Sequence, residues 1–438
     1  MVKSLVPRVG VGALSSLLEV GAELAPKAAE DLVGLLRKSG CEIVDLGAIG
    51  SPDEAVSAGR RLAEEHVHAI AFVSVSWFED YLVLDLLEEC RVPVLFWSIP
   101  GMETGALCGT QQLTAYLKQL GVPYQCVYDP LDSAGVLDHA CRFLRAAALK
   151  KKLRQARIGF SGQRTSGMTE ISVNEIGLKK SIGPRVVPLD LPLLLDRAKE
   201  ISDEAATTHW RRIKGCSGSC RVSDTDGLDS MKVYLAVKEL VDEYRLDALT
   251  IGCYPHLMGR VCLAASLLAD EGVPLACEGD VNGAVAQLIL SLLTGQPTHN
   301  TDWLEPLEDG TVVMSHCGSG SFKLAENPED VVLAPVRLMN QGVCALFTAK
   351  PGPVTLVNLM PWGQGYQCAV LQGEALSTEM VFPGNPLRVR FPHPLQDLLE
   401  WIHYEGIGHH WMAGYGDVAE EIHSWGMIIG DSLRVVNL

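Results

Sequence analysis

Two carboxylates and one imidazole from distant parts of the chain, Glu278, Asp302 and one of the pair His409-His410, have the types needed to hold a divalent cation. Glu278 ends the apolar run Leu275-Ala276-Cys277, and a helix of small and apolar residues from Ala284 to Leu293 starts just beyond it. Open α/β sheets present functional side chains at the carboxyl ends of their strands, where the crevice lies between loops. Asp302 comes 24 positions after Glu278, past the turn Thr294-Gly295-Gln296-Pro297, an interval that holds one helix and a return loop. Hard oxygen donors with one imidazole suit Mn²⁺, or Mg²⁺ or Co²⁺, with water positions left open, whereas zinc more often takes Cys and more His. Neighbouring residues of an extended chain point to opposite faces, so one of the two histidines is expected to reach an ion. From spacing alone the set is weak, since a lone acid at a strand end is usually a cap or a surface group.

His316 stands in Ser315-His316-Cys317-Gly318-Ser319-Gly320, where glycines let backbone approach a ligand. The alternative is a strand-end histidine bonded to a backbone carbonyl. Cys216-Ser217-Gly218-Ser219-Cys220 has no second Cys or His pair nearby and does not read as a metal knuckle. Gly10-Val11-Gly12 lacks the third glycine and the acid of a dinucleotide fingerprint, and there is no P-loop or nucleophile elbow.

The elements that must position these residues read as two α/β units followed by a β-rich one. Val9 to Gly12 forms a strand, and helical periodicity runs through Leu17, Leu18, Leu24, Leu32 and Leu36 to Gly40. Strands follow at 41–47, 69–75 and 92–97, and Ser51-Pro52-Asp53-Glu54 opens a capped helix. Strict alternation of this kind predicts a doubly wound parallel sheet. A helix from about Ser133 runs into Lys150-Lys151-Lys152-Leu153-Arg154, which closes the first domain at 1–152. The second, 153–300, has strands at 156–162, 248–252 and 273–277 and carries Glu278. Beyond it, 301–438 holds short β-rich pieces separated by Gly, Pro and Asn, which predict antiparallel, barrel-like sheet carrying Asp302 and His410.

With 438 residues, the chain exceeds what one hydrophobic core usually supports. Lys plus Arg is 36 against 53 Asp plus Glu, a formal charge of −17, which repels phosphate backbones and anionic membranes. No nucleic-acid or membrane partner is expected, and the single basic cluster at 150–154 reads as a solvated helix end. Arg8 interrupts the apolar residues between Val6 and Leu18, and Glu19 and Glu23 follow, so neither a signal peptide nor a span is expected. Thirteen cysteines without framework spacing fit free thiols in a reducing compartment and a cytoplasmic location.

At Ala276-Cys277-Glu278-Gly279-Asp280, Thr301-Asp302-Trp303 and His409-His410 through Tyr415-Gly416, the chain resembles the L-fucose isomerase and L-arabinose isomerase superfamily, the fucose branch more closely. The resemblance covers the order of domains over essentially the whole chain. It implies an aldose–ketose isomerase that moves a proton between C1 and C2 through a cis-enediol. It further implies a Mn²⁺ held by Glu278, Asp302 and His410, with the two carboxylates catalytic. Met168, Tyr254, His256 and His316 take substrate-facing positions by the same comparison. The family also implies a homo-oligomer, trimer or hexamer, in which Trp77 and Gln111 of one subunit reach the sugar of another. Their alternative is ordinary core or helix-start packing. The chain is shorter than typical fucose isomerases, and their N-terminal arginine motif is not recognisable around Arg8. A non-catalytic sugar-binding protein and a metal-dependent aldolase or hydrolase are the rival functions.

Overall fold

Five strands, each followed by a helix, build the first sheet of the computed structural model, which describes residues 5–438. Strands β1 (Arg8–Leu14), β2 (Glu42–Ile49), β3 (Ala69–Ser74), β4 (Val94–Ser98) and β5 (Tyr124–Tyr128) pair in parallel in the order β2-β1-β3-β4-β5. Every residue of β3 and β4 is buried, which is why these two read as continuous apolar runs and do not alternate. Ser51 caps the helix Pro52–Glu64 by accepting from the Glu54 amide, as its sequence predicts. Gly59 of that helix lets the helix Tyr81–Glu89 come close, since a Cβ there would lie 2.6 Å from the Leu86 carbonyl oxygen.

The helix predicted to begin soon after Gly12 instead starts at Ala25, after a 3₁₀ turn at Ala22–Leu24. Leu17 and Leu18 are 84% and 94% exposed, so their helical spacing is not used. Pro26 explains the start: its missing N–H is tolerated in the first turn and not in a helix interior. The basic tract also differs from expectation. It ends the helix Ala134–Gln155, but Lys150, Lys151 and Lys152 are half-buried, and Lys150 Nζ donates to the Ile428 carbonyl. That carbonyl belongs to the late helix Ala419–Ile429, whose residues from Glu420 pack into the same compact unit as Leu5–Lys152. Arg145 Nη1 lies 3.2 Å from the buried Glu421 carboxylate and ties the two helices.

The other compact unit comprises Leu153–Ala419 and Asp431–Leu438. Its parallel sheet contains β6 (Arg157–Ser161), β7 (Arg185–Leu189), β9 (Ala248–Ile251) and β10 (Leu275–Ala276), in the order β10-β9-β6-β7. A short β8 (Ser219–Cys220) lies apart from it. β10 is two residues long where five are predicted, because the chain turns sharply at Glu278. After it, β11 (Thr298–Pro306), β12 (Thr311–Ser315), β13 (Val332–Ala334), β14 (Cys344–Leu346), β15 (Gly352–Trp362), β16 (Gly365–Leu376), β17 (Leu387–Arg390), β18 (His410–Tyr415) and β19 (Leu433–Val436) supply the β-rich texture expected beyond Asp302. Seven of them run in the order β15-β18-β11-β12-β17-β16-β19, and β15 also pairs with β16, so the pairings return on themselves. All are antiparallel except β16 with β19. β14, β13 and β8 form a separate three-stranded sheet.

The helix Val281–Thr294 is buried from Val281 to Leu293 and packs against β9, β10, β15 and β18. It is apolar on all sides, as a helix enclosed by sheet must be. Among the described residues, no helix is long and apolar enough to cross a membrane, and all thirteen cysteines are unpaired.

Candidate active site

Antiparallel register brings the first two candidate residues together. On β11, Asp302 stands directly opposite His410 of β18 on one side and Ser315 of β12 on the other. Directly opposed residues of an antiparallel pair share a face and lie within side-chain reach. His316 follows Ser315 just where β12 ends, which adds a second imidazole beside the same row.

Glu278 arrives from the parallel sheet by a strained turn. Its φ is 65° and that of Gly279 is 76°, two successive left-handed residues that swing the carboxylate off the line of β10. A non-glycine residue held there costs on the order of 1–3 kcal/mol and persists only where its surroundings enforce it. The enforcing bonds are the Thr165 amide to the Glu278 carbonyl, 3.0 Å, and the Gly279 amide to the Ile251 carbonyl, 3.2 Å. Gly279 is required for a second reason, because a Cβ would meet the Gln163 carbonyl oxygen at 2.7 Å.

The side chains converge. His410 Nε2 is 2.9 Å from Glu278 Oε2 and 4.0 Å from Asp302 Oδ1, and His316 Nε2 is 3.5 Å from Glu278 Oε2 and 3.9 Å from Asp302 Oδ2. The His410 side chain is 2% exposed and that of Glu278 12%. Burial alone would raise the Glu278 pKa, but hydrogen bonds to His316 and His410 hold it well below the usual carboxylate range. Burial likewise opposes charge on His410, yet Asp280 and Glu278 bring its pKa up to about 9.

Asp280 is a residue of this cluster that sequence reasoning did not single out. Its Oδ2 is 2.9 Å from His410 Nδ1, while its Oδ1 accepts from the Gly283 amide at 2.8 Å and caps the helix Val281–Thr294. One carboxylate therefore starts the central helix and orients the imidazole. The signal was present as an Asp directly before a helix start and two positions after Glu278.

The donor set fits a divalent cation. Asp302 Oδ1 is buried with no hydrogen-bond partner, and Glu278, His316 and His410 each offer a donor atom within 4.8 Å of the others. Three carboxylates packed with two imidazoles, Glu278 and Asp302 only partly buried, suit a cation between them. His409 is not turned away as alternation would have it: its Nδ1 is 2.6 Å from Glu170 Oε1, but its ring lies 4.2 Å from that of His410, and it offers a donor atom within 4.8 Å of Asp302 and His410.

These groups open into a cavity of about 150 Å³ lined by Glu278, Asp302, His316 and Cys317, with Tyr254, Met258, Arg337 and Phe382 among the other walls. A larger open groove of about 780 Å³ shares Leu304 and Phe382 with it but none of these candidate donors. Tyr254 thus reaches the site, whereas Met168 and His256 are not among the lining residues. His256 is exposed, and Met168 is half-buried just before the 3₁₀ turn Thr169–Ile171 that carries Glu170. Trp77 and Gln111 stand in the other compact unit, where the Trp77 indole N–H donates to Gln112 at 3.1 Å and Gln111 is exposed. Arg337, not singled out by sequence, stacks on the Phe382 ring at 5.0 Å and has no carboxylate partner among the described residues.

No protein-family model matches the chain. A sulfoquinovose isomerase of Alkalicoccus urumqiensis is 24% identical over 382 residues, 84% of this chain and 86% of the relative. That of Priestia aryabhattai is 24% identical over 385 residues, 84% and 85% of the two chains, and that of Clostridium sp. (strain MSTE9) 24% over 365 residues, 78% and 79%. A solved ABC transporter solute-binding protein from Burkholderia multivorans aligns with a TM-score of 0.17 at 11% identity over 67% of this chain and 95% of that one, too low to argue from. The isomerases favour isomerisation over the binding-protein, aldolase and hydrolase readings, and the chain is an enzyme, an aldose–ketose isomerase.

Proposed function

We propose that this isomerase is metal-dependent, works in the manner of the fucose and arabinose isomerases, and takes a sugar with an anionic substituent, the sulfonated hexose class of its relatives. The observation that carries the reading is the convergence of Glu278, Asp302 and His410 from three separate segments. A divalent ion such as Mn²⁺, held by these three with His316 beside them, supplies Lewis-acid stabilisation of negative charge on the sugar's C1 and C2 oxygens.

The chain's own residues do the rest. Glu278, kept ionised by its two histidine neighbours, is suited to accept a carbon proton, and Asp302, with an unpartnered buried oxygen, to carry the hydroxyl proton. The roles exchange in the reverse direction. His410 is fixed by Asp280 through Nδ1, which leaves Nε2 facing the carboxylates. Tyr254, Met258 and Phe382 supply apolar walls that limit water. Arg337 is the cation placed to receive an anionic group on the far end of the sugar, supported by its lack of any protein carboxylate in a strongly acidic chain.

The reading includes a homo-oligomer in which Trp77 and Gln111 reach the cavity of a neighbouring subunit, supported by the exposure of Gln111. It also takes the closed ring of β-pairings as barrel-like. The test is a panel of sulfonated, 6-deoxy and pentose aldoses incubated with Mn²⁺ in deuterated water and followed by NMR. Ketose formation with deuterium entering at C1 or C2, best for the sulfonated sugar and lost to a chelator, is the expected result. Activity undiminished by chelation, or no ketose from any sugar, would overturn the reading.

A further inference from the structure

His316 has two different neighbourhoods on its two nitrogens. Nε2 faces the carboxylates of Glu278 and Asp302, whereas Nδ1 lies 3.2 Å from Cys317 Sγ. Behind Cys317 is a cluster of sulfur. Cys277 Sγ, Cys317 Sγ and a His316 nitrogen lie within 4.8 Å of one another, and Cys262 Sγ is 3.7 Å from Cys317 Sγ. None of these thiols forms a disulfide, and the carboxylate chemistry described above uses none of them.

The spacing is that of a tetrahedral soft-metal site. With metal–sulfur bonds of ~2.3 Å and metal–nitrogen bonds of ~2.0 Å, tetrahedral donors stand about 3.8 Å apart for two sulfurs and about 3.5 Å for sulfur and nitrogen. Here His316 Nδ1 and Cys317 Sγ are 3.2 Å apart, and Cys277 Sγ lies within 4.8 Å of Cys317 Sγ, close enough for small adjustments to bring the donors onto one ion. Cys277 is 2% exposed, but Cys317 lines the active-site cavity, so an ion has a way in. Donor softness divides the two sites: thiolates and imidazole select zinc-class ions, while carboxylates with imidazole suit Mn²⁺ or Mg²⁺.

We propose that Cys277, Cys317 and His316 Nδ1 form a second, soft-cation site for ions of the zinc and cadmium class, and that filling it inhibits the adjacent carboxylate site. Each of the two thiols gives one proton to solvent as its sulfur binds, and nothing is oxidised or reduced. A divalent ion with two thiolates and a neutral imidazole is uncharged overall, which a buried setting favours. With Nδ1 taken by metal, the imidazole proton resides on Nε2 and donates toward Glu278, tying down that carboxylate. Occupancy of this site does not depend on the reaction proposed above; only the inhibition does.

The test uses the full-length, reduced protein. Titration with Co²⁺ should produce a thiolate-to-cobalt charge-transfer band in the near ultraviolet, saturating at one ion per chain and abolished by stoichiometric Zn²⁺. Cys317→Ser and Cys277→Ser should each remove it, while Glu278→Gln, which alters no sulfur donor, should keep it. Because Cys277 is deeply buried, the half-buried Cys317, which lines the cavity, gives the deciding variant. Absence of the band in the wild type, or an undiminished band in Cys317→Ser, would overturn the site. In the isomerase assay with Mn²⁺, the concentration of Zn²⁺ giving half inhibition should rise at least about tenfold in Cys317→Ser. Equal sensitivity of variant and wild type would overturn the inhibitory role while leaving a spectroscopically established site standing.

Discussion

Replacing Asp280 by Asn changes one charge and keeps one hydrogen bond, which makes it a sharp test of the active-site geometry. Asp280 Oδ1 accepts from the Gly283 amide, a bond that an Asn carbonyl reproduces, and Asn caps helices as well as Asp does. Oδ2 becomes an NH₂ group 2.9 Å from His410 Nδ1. An amide donor there makes Nδ1 the acceptor and moves the imidazole proton to Nε2, the nitrogen that faces Glu278 and Asp302. The lone pair needed for a metal ligand is then lost. A buried hydrogen bond to a charged group contributes about 2 kcal/mol, roughly thirtyfold, in line with the 10–100-fold effects of altered outer partners of metal-bound histidines. Steady-state activity titrated with Mn²⁺ should show a loss of this size, with a higher Mn²⁺ requirement and an unchanged melting temperature. Asp280→Ala should lose about 1 kcal/mol of stability in addition, through the missing cap. If Asp280→Asn keeps both activity and metal requirement within about twofold of wild type, His410 is not positioned as described.

Glu278→Gln should lower kcat by about 10²–10⁴-fold with circular dichroism unchanged; near wild-type isomerisation would remove Glu278 from the reaction. Arg337→Ala should raise KM for a sulfonated aldose about tenfold and leave that for a neutral aldose alone; an equal rise for both would make Arg337 a general wall of the cavity. His299, buried against Phe347 and Tyr415, has its pKa lowered to about 3 by burial and secondarily by Lys350. The unfolded chain therefore binds a proton that the folded chain refuses between about pH 6.5 and 3, and stability falls as pH drops through that window. The loss is about 2 kcal/mol at pH 5 and about 4 kcal/mol at pH 3. Urea melts across this range should show a shallower pH slope for His299→Gln, and an unaltered slope would count against a buried neutral imidazole.

The parallel sheets, their helices and the β-rich last third were legible in the sequence because each depends on short-range properties. Apolar runs such as 69–75 and caps such as Ser51-Pro52 act over a few residues, whatever lies elsewhere. The types and order of Glu278, Asp302 and His410 could be read in the same way. Their meeting could not. It depends on the register that sets Asp302 opposite His410 across β11 and β18, and on a left-handed turn at Glu278 enforced by Thr165 and Ile251. Register follows from how two distant strands fit together, and strain at one residue persists only through bonds from others, so neither is written locally. The same holds for Asp280, whose cap is local but whose imidazole partner lies 130 positions away. The late helix Ala419–Ile429 joins the first unit for a related reason: Arg145 and Lys150 find Glu421 and Ile428 only once the chain has folded back. The sequence determined which donors exist and on which kinds of element they sit. Only the tertiary structure decided which of them share one buried volume, because that is a property of pairing between segments and no single segment carries it.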